Sequence, residues 1–190
     1  MVEQLLVWDT SLFLWLNQMG SSFYDPFWVL MSVKATNVVV YLTLVFIYGR
    51  KRGLGAAVLL LFVGVVLVGL TDQLTNIFKD GFMRLRPCHT SDLDGIMRLV
   101  KASCGGKYSF FSGHSSNSFA LAFFFSLIFK EVKRLMPMLL FLASLIAYSR
   151  VYLGVHYPLD IVCGAIAGIG MATLVYSLVN KRVPHLLPPY

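Results

Sequence analysis

Long apolar stretches separated by short polar turns run through most of the chain. Their approximate bounds are Phe27–Tyr48, Gly53–Thr71, Ser112–Phe129, Leu135–Tyr148 and Pro158–Val179. A helix that crosses the hydrocarbon core of a bilayer needs about 20 predominantly apolar residues. The pattern therefore predicts an all-α integral membrane protein with about five transmembrane helices.

The N-terminal segment, within residues 1–20, follows a different pattern. Apolar residues, among them Trp8 and Trp15, alternate at helical spacing with Glu3, Asp9 and Asn17. A short, acidic, amphipathic helix with two tryptophans is typical of a helix that lies in the membrane interface. A sixth spanning helix is the alternative.

Polar residues interrupt two of the apolar stretches. Lys34 lies well inside the first, where an ammonium either snorkels to the interface or faces a polar cavity shared with other helices. The second continues as a helix with a polar stripe of Asp72, Asn76 and Lys79 or Asp80. Asp72 should point toward the protein, because facing lipid is costly.

The composition supports a single membrane domain that extends over residues 1–190. The chain is 57% hydrophobic and 13% charged, with a mean hydropathy of +0.73, which excludes a water-soluble globule. Its net charge of +7 favours anionic lipid or phosphate partners. Nucleic acid is not expected, since no basic patch is interleaved with aromatic residues. We also expect no removable signal peptide, because no basic start precedes a cleavage site.

The stretch Ser149–Asp160 combines an arginine, a histidine and an aspartate between two apolar runs. Pro158 suits the first turn of a helix, so Asp160 lies in that turn and His156 just before it. The carboxylate can then accept a hydrogen bond from one imidazole nitrogen and leave the other free. Arg150 offers donors for phosphate or carboxylate. The alternative is an interface loop whose polar residues only meet lipid headgroups.

Antiparallel spans bring this stretch to the same membrane side as two other polar segments. One ends the second helix, and the other, Ser112-Gly113-His114, opens the third, where free backbone N–H groups can bind an anion or simply cap a helix. The residues expected to converge are Lys79, Arg86, Ser112, Gly113, His114, Arg150, His156 and Asp160. This set matches a phosphoryl group, with two histidines as nucleophile and acid. No residue spacing suggests a metal or another cofactor.

Three motifs together resemble the signature of the type 2 phosphatidic acid phosphatase family, which is related to bacterial acid phosphatases and vanadium haloperoxidases. They are Lys79 with Arg86-Pro87, then Ser112-Gly113-His114, then Ser149-Arg150 with His156 and Asp160. Phe111 stands where that family usually has proline. The Cys104–Tyr108 segment also resembles bacterial lipid A and undecaprenyl diphosphate phosphatases.

The resemblance implies a helical phosphatase core and a role for each motif residue. His156 would form a phosphohistidine, Asp160 would hold its imidazole, and His114 would protonate the leaving oxygen. Lys79, Arg86, Arg150, Ser112 and Gly113 would bind the phosphate. The expected partner is a phosphorylated lipid of the bacterial envelope, such as lipid A, undecaprenyl diphosphate or phosphatidylglycerophosphate. A lipid phosphotransferase and a non-catalytic lipid-phosphate binder are the alternatives.

The distribution of basic residues predicts how the chain is oriented. Arg50-Lys51-Arg52, the Lys130–Arg134 turn and Lys181-Arg182 fall opposite the site, and that side should be cytoplasmic. The protein is thus expected in the inner membrane, with its site facing the periplasm or exterior.

Cys88 and Cys104 bracket the site-side loop, residues 88–111, in what would be an oxidising compartment. A disulfide between them is therefore expected to hold Arg86, with Cys163 free. The alternative is three unpaired thiols.

Overall fold

The computed structural model describes residues 2–101, 103–182 and 184, and the regular elements in these residues are all helical. The α-helices are α1 (Val2–Gln18), α2 (Asp25–Met31), α3 (Lys34–Arg52), α4 (Leu54–Phe82), α5 (Gly113–Ile128), α6 (Leu135–Tyr152) and α7 (Pro158–Arg182). Two short 3₁₀ turns, Pro87–His89 and Ser91–Leu93, lie in the long loop between α4 and α5. The all-α fold class is confirmed.

The helices embed the protein in a membrane. By length and composition, α4, α6 and α7 can each span a bilayer, and α2 with α3 can form a fourth span in the described part of the chain. Helix α5 has 16 residues and is only about 24 Å long, which is shorter than a hydrocarbon core. The expected count of five spans therefore stays a prediction.

Helices α2 and α3 together correspond to the first predicted span, with a break between them that the apolar pattern did not predict. Helices α2 and α3 meet at an angle of 53°. Val33, between them, has an extended backbone, and the buried Ser32 accepts a hydrogen bond from the Arg150 guanidinium. The break thus places a polar group against a buried cation. Hydropathy alone gave no sign of it, because every residue from Phe27 to Val33 except Ser32 is apolar.

Helix α6 also differs from its predicted bounds. It continues to Tyr152, four residues beyond the expected end at Tyr148, so that Arg150 lies in its last turn. Helix α4, in contrast, runs without a break from the apolar second span into the predicted polar stripe. At 29 residues it is about 44 Å long and carries Lys79 near its end.

Helix α5 lies at the centre of the bundle and packs against α4, α6 and α7. Two glycines of α7 allow the closest approach: a Cβ atom on Gly164 would lie 2.6 Å from the carbonyl oxygen of Ser112, and one on Gly168 would clash with that of Ser116. Small residues on α7 therefore allow close packing against α5. Below it, Phe124, Phe125 and other apolar side chains fill the core.

Helix α1 packs one face against the site end of the bundle. Asp9, Phe13 and Asn17, spaced four residues apart, are buried, while Trp8 and Trp15 are exposed. The Asn17 side chain bonds to the backbone of the long loop and of the end of α6. The helix is not among those with the length and composition of a span, and its position in the interface stays a prediction.

Candidate active site

The centre of the site is a buried histidine–aspartate pair at the start of α7. The Nδ1 atom of His156 lies 3.2 Å from Oδ2 of Asp160, which also accepts the Tyr157 N–H at 3.0 Å. His156 is 2% exposed and Asp160 fully buried. Since Nδ1 is engaged by the carboxylate, Nε2 is the ring nitrogen left to react.

The loop before α7 turns back onto the end of α6, which fixes the backbone of His156. The N–H groups of Val155 and His156 both donate to the carbonyl oxygen of Arg150. Gly154 permits this turn, because it has a φ of +80° and any side chain there would collide with the carbonyl of Arg98.

The start of α5 is fixed to the start of α7. The Ser112 N–H donates to the Asp160 carbonyl at 3.0 Å, and the Ser115 hydroxyl donates to the Ile161 carbonyl at 2.6 Å. Ser112 Oγ caps α5 by accepting the Ser115 N–H. These contacts place His114, the second residue of α5, close enough to His156 for the two imidazoles to interact electrostatically.

Three cations, Lys79, Arg86 and Arg150, lie around the His156–Asp160 pair. Arg86 donates to the carbonyls of Cys104 at 2.8 Å and Tyr108 at 3.2 Å. Arg150 is 5% exposed and bonds to Ser32, but its Nε has no partner. Lys79 interacts electrostatically with both arginines. A buried guanidinium nitrogen without an acceptor is costly, and an anion would satisfy it.

The structure thus brings together all eight side chains and backbone groups expected at the site. They are Lys79, Arg86, Ser112, Gly113, His114, Arg150, His156 and Asp160. Their arrangement can bind a tetrahedral anion between cations and a helix N-terminus, with one imidazole backed by a carboxylate. What each residue does in a reaction remains a proposal.

Burial determines the charge of His156. Desolvation lowers its pKa to about 4, the nearby Arg86 and Arg150 act in the same direction, and the hydrogen bond and charge of Asp160 oppose them. His156 is therefore neutral at neutral pH, which is the form that can act as a nucleophile.

The family follows from a comparison of the whole sequence. The sequence model of the PAP2 superfamily matches residues 57–184, which include the three motifs. The chain belongs to the PAP2 superfamily. Together with the helical fold and the curated relatives, this makes it a membrane lipid phosphatase of the PAP2 type.

Two curated relatives match almost the entire chain. A lipid A 4'-phosphatase of Porphyromonas gingivalis is 36% identical over 180 residues, covering 93% of this chain and 75% of the relative. A lipid A 4'-phosphatase of Bacteroides thetaiotaomicron is 32% identical over 189 residues, covering 98% and 83%.

Two solved structures share the fold. Aquifex aeolicus LpxE has a TM-score of 0.68 at 24% identity, covering 88% of this chain and 94% of that one. The PAP2-type phosphatidylglycerolphosphate phosphatase of Bacillus subtilis has a TM-score of 0.73 at 19% identity, covering 96% and 89%.

A cavity of about 150 Å³ lies beside His114 in this PAP2 fold. Lys34, Asp72 and Asn117 are among its lining residues, and Asn117 donates to Asp72 at 2.8 Å. Lys34, the first residue of α3, lines this cavity and is also exposed, so its position is compatible with both expectations. Asp72 points toward α5, as predicted for a carboxylate near the end of a span.

An apolar groove adjoins that cavity. It has a volume of about 290 Å³ and is lined mainly by residues of α3 and α4. The cavity and the groove share the lining residues Asn37, Val38, Val68 and Leu121. A path lined by apolar side chains therefore leads from His114 along the bundle.

Two charged residues of the site, Arg84 and Asp9, were not predicted from the sequence. Arg84 forms ion pairs with Asp160 Oδ1 at 3.0 Å and Asp9 Oδ2 at 2.7 Å. One signal could have pointed to Arg84: in an extended segment, residues two apart share a face, so Arg84 should point where Arg86 points. No local pattern pointed to Asp9, because it lies 151 positions before Asp160.

Phe111 occupies the position of the usual PAP2 proline without disturbing the start of α5. Its side chain is 2% exposed, and its ring centroid lies 5.1 Å from that of Phe78 on α4. Aromatic packing against α4 therefore restrains the loop where the ring of a proline would otherwise do so.

The long loop is closed by a disulfide between Cys88 and Cys104, whose Cα atoms are 6.0 Å apart. Cys163 is free. The disulfide joins the residue two positions after Arg86 to the residue whose carbonyl accepts the Arg86 guanidinium. The same loop is tied to α2 by an ion pair between Arg98 and Asp25 at 3.0 Å.

Replacing both Cys88 and Cys104 with serine should lower thermal stability and activity. Closing a loop of this size stabilises a fold by about 3 kcal/mol, and its loss should loosen the carbonyl that holds Arg86. The measurements are thermal unfolding in detergent and phosphate release, with Cys163→Ser as the control that changes neither. Free alkylation of Cys88 and Cys104 in unreduced wild-type protein would contradict the bond.

Proposed function

We propose that this chain removes a phosphate group from lipid A or a closely related phosphorylated envelope lipid through a phosphohistidine on His156. The observation that carries the proposal is the buried His156–Asp160 pair, with Nε2 of His156 free, beside the buried Arg150, whose Nε has no acceptor. The names and 32–36% identity of the two near-full-length relatives support lipid A as the substrate class.

The first step exchanges the substrate's phosphoester bond for a bond to the enzyme. Nε2 of His156 attacks phosphorus, the N–P bond forms, and the bond between phosphorus and the lipid oxygen breaks with its electrons on that oxygen. His114 gives this oxygen a proton. Asp160 stabilises the positive charge that develops on the attacking imidazole.

The second step releases inorganic phosphate. His114, now neutral, takes a proton from a water molecule whose oxygen attacks phosphorus, and the N–P bond breaks to restore His156. Lys79, Arg86, Arg150, the hydroxyl of Ser112 and the N–H group of Gly113 hold the phosphate oxygens throughout. Because Arg150, Lys34 and Lys101 surround His114 with positive charge, the phosphate dianion also provides the counter-charge that a protonated His114 needs.

The two histidines should respond differently to substitution. His156→Ala should abolish hydrolysis of both a lipid A substrate and p-nitrophenyl phosphate, because no phosphoenzyme can form. His114→Ala should impair lipid A hydrolysis much more, because p-nitrophenolate leaves without a proton and a sugar alkoxide does not. The measurement is release of inorganic phosphate from each substrate.

The same assay separates the candidate substrates and activities. A panel of lipid A, undecaprenyl diphosphate and phosphatidylglycerophosphate should show the highest kcat/KM for lipid A. Transfer of the phosphoryl group to an acceptor lipid without phosphate release would indicate a phosphotransferase, and phosphate-lipid binding without either reaction a binder. An active His156→Ala with equal losses on both substrates for His114→Ala would mean that the roles are reversed.

The groove between α3 and α4 suits an acyl chain of the substrate. Val38→Trp should fill the part of the groove that adjoins the cavity at His114, and so reduce kcat/KM for the lipid several-fold while leaving p-nitrophenyl phosphate hydrolysis unchanged. Val39→Trp is the matched control, because Val39 is 64% exposed and does not line the groove. Equal effects of the two variants would contradict this assignment.

We also propose that the site faces the periplasm or exterior of a bacterial inner membrane. The basic ends of α3 and α7 and the basic turn between α5 and α6 support this, because they lie at the ends of their helices that are remote from the site. Alkaline phosphatase fused after Tyr190 should therefore be inactive, whereas the same reporter inserted after Gly95, in the long loop, should be active. The reverse result would overturn the orientation.

A further inference from the structure

The carboxylate of Asp160 belongs to a longer chain of charges than the motif contains. Oδ2 bonds to His156, and Oδ1 bonds to the Arg84 guanidinium, which in turn bonds to Asp9 on α1. The Asp9 and Asp160 side chains are 5% and 0% exposed, and that of Arg84 is 17% exposed. The order is therefore Asp9, Arg84, Asp160 and His156, in which an anion, a cation and an anion lead to the neutral imidazole.

Each member of this chain is held by a second set of contacts. Oδ1 of Asp9 accepts the Leu159 N–H at 2.8 Å, in the first turn of α7. The Arg84 guanidinium lies 3.9 Å from the centroid of the Tyr157 ring, and Phe13 packs edge-on against that ring at 5.4 Å. The backbone of Arg84 accepts the Ser109 N–H at 2.8 Å. Both Arg84 and Asp160 are thus fixed in position and orientation.

We propose that Asp9 and Arg84 are positioning residues of this phosphatase, which orient the Asp160 carboxylate and set its effective charge on the His156 imidazole. The proposal rests on the proposed function, because it assigns these residues to the attack by His156. Arg84 neutralises part of the Asp160 charge, and Asp9 neutralises part of the Arg84 charge. Asp9 lies outside residues 57–184, so the N-terminal helix completes a site whose motifs are all elsewhere.

The balance of charge at His156 comes from all the elements around it. Facing it are Asp160 from α7, Arg86 from the long loop, Arg150 from α6 and His114 from α5, while Lys79 of α4 acts on Asp160. Arg84 bonds to Asp160 and Asp9 bonds to Arg84, so both reach His156 through the carboxylate that it contacts. Substitutions at these two residues should therefore move the titration of His156 in opposite directions.

The test compares the dependence of kcat/KM on pH for one lipid substrate across a set of variants. Arg84→Gln leaves the Asp160 charge uncompensated, which favours protonated His156, so the acidic limb should move to higher pH. Asp9→Asn leaves the Arg84 charge uncompensated, so the limb should move to lower pH. The substrate phosphate titrates identically in every assay, so a difference between variants in the pH of the acidic limb reports on the enzyme.

Two further variants separate charge from geometry. The double variant Asp9→Asn with Arg84→Gln has the same net charge as the wild type, so its acidic limb should return toward the wild-type position. Its kcat should still be below that of the wild type, because the contacts that orient Asp160 are lost. Arg84→Lys keeps the charge but loses the forked pairing, so it should keep the wild-type limb with kcat reduced on the order of tenfold. If Arg84→Gln or Asp9→Asn does not yield folded protein, the double variant and Arg84→Lys still test the positioning role.

Matched controls remove a charge elsewhere. Glu3→Gln removes a carboxylate from the exposed face of α1, and Arg134→Gln removes a guanidinium from the opposite end of the bundle. Both should retain the wild-type profile. If wild-type protein hydrolyses the lipid but the profiles of Asp9→Asn and Arg84→Gln coincide with it, the positioning role is wrong. If wild-type protein releases no phosphate from any lipid, the proposed function itself fails.

Discussion

The structure depends on the burial of one carboxylate. Asp160 has no exposed surface, and a buried anion is tolerated only when hydrogen bonds and opposite charges compensate it. Its partners come from the loop before α7, from the extended segment after α4 and, through Arg84, from α1. Its own backbone carbonyl holds the first residue before α5. A group needed to orient one imidazole therefore also joins parts of the chain that are far apart in sequence.

The cations at the site are balanced incompletely by the protein itself. Arg84 has two carboxylate partners, whereas Arg86 pairs with backbone carbonyls and Arg150 with a hydroxyl, and neither of these two forms an ion pair in the described part of the chain. This division separates two uses of arginine within one small volume. The Arg84 guanidinium stabilises the fold through its two ion pairs, while the charges of Arg86 and Arg150 remain available to bind an anion.

Short-range features of the site could be predicted from the sequence, and long-range ones could not. The four-residue spacing of His156 and Asp160, with Pro158 between them, already determines which groups can touch. The kink at Ser32 and the contact of Asp9 with Arg84 depend instead on elements that meet only after the bundle has formed. A carboxylate on an amphipathic helix has the same local pattern whether it faces water or a buried guanidinium. The resemblance of the motifs to the PAP2 family narrowed the choice of fold, but did not point to a role for Asp9 in the site.

The short central helix has a consequence for how the enzyme meets its substrate. Helix α5 begins at the site and is about 24 Å long, whereas α4 beside it is about 44 Å long. Gly113, at the start of α5, packs beside Thr75, so His114 lies below the upper end of α4. Under the proposed function, a substrate lipid would reach this site by lateral diffusion within its leaflet. The rate of such an enzyme is governed by the number of substrate molecules per unit of membrane area, so that dilution with inert lipid slows it even when the bulk concentration is constant.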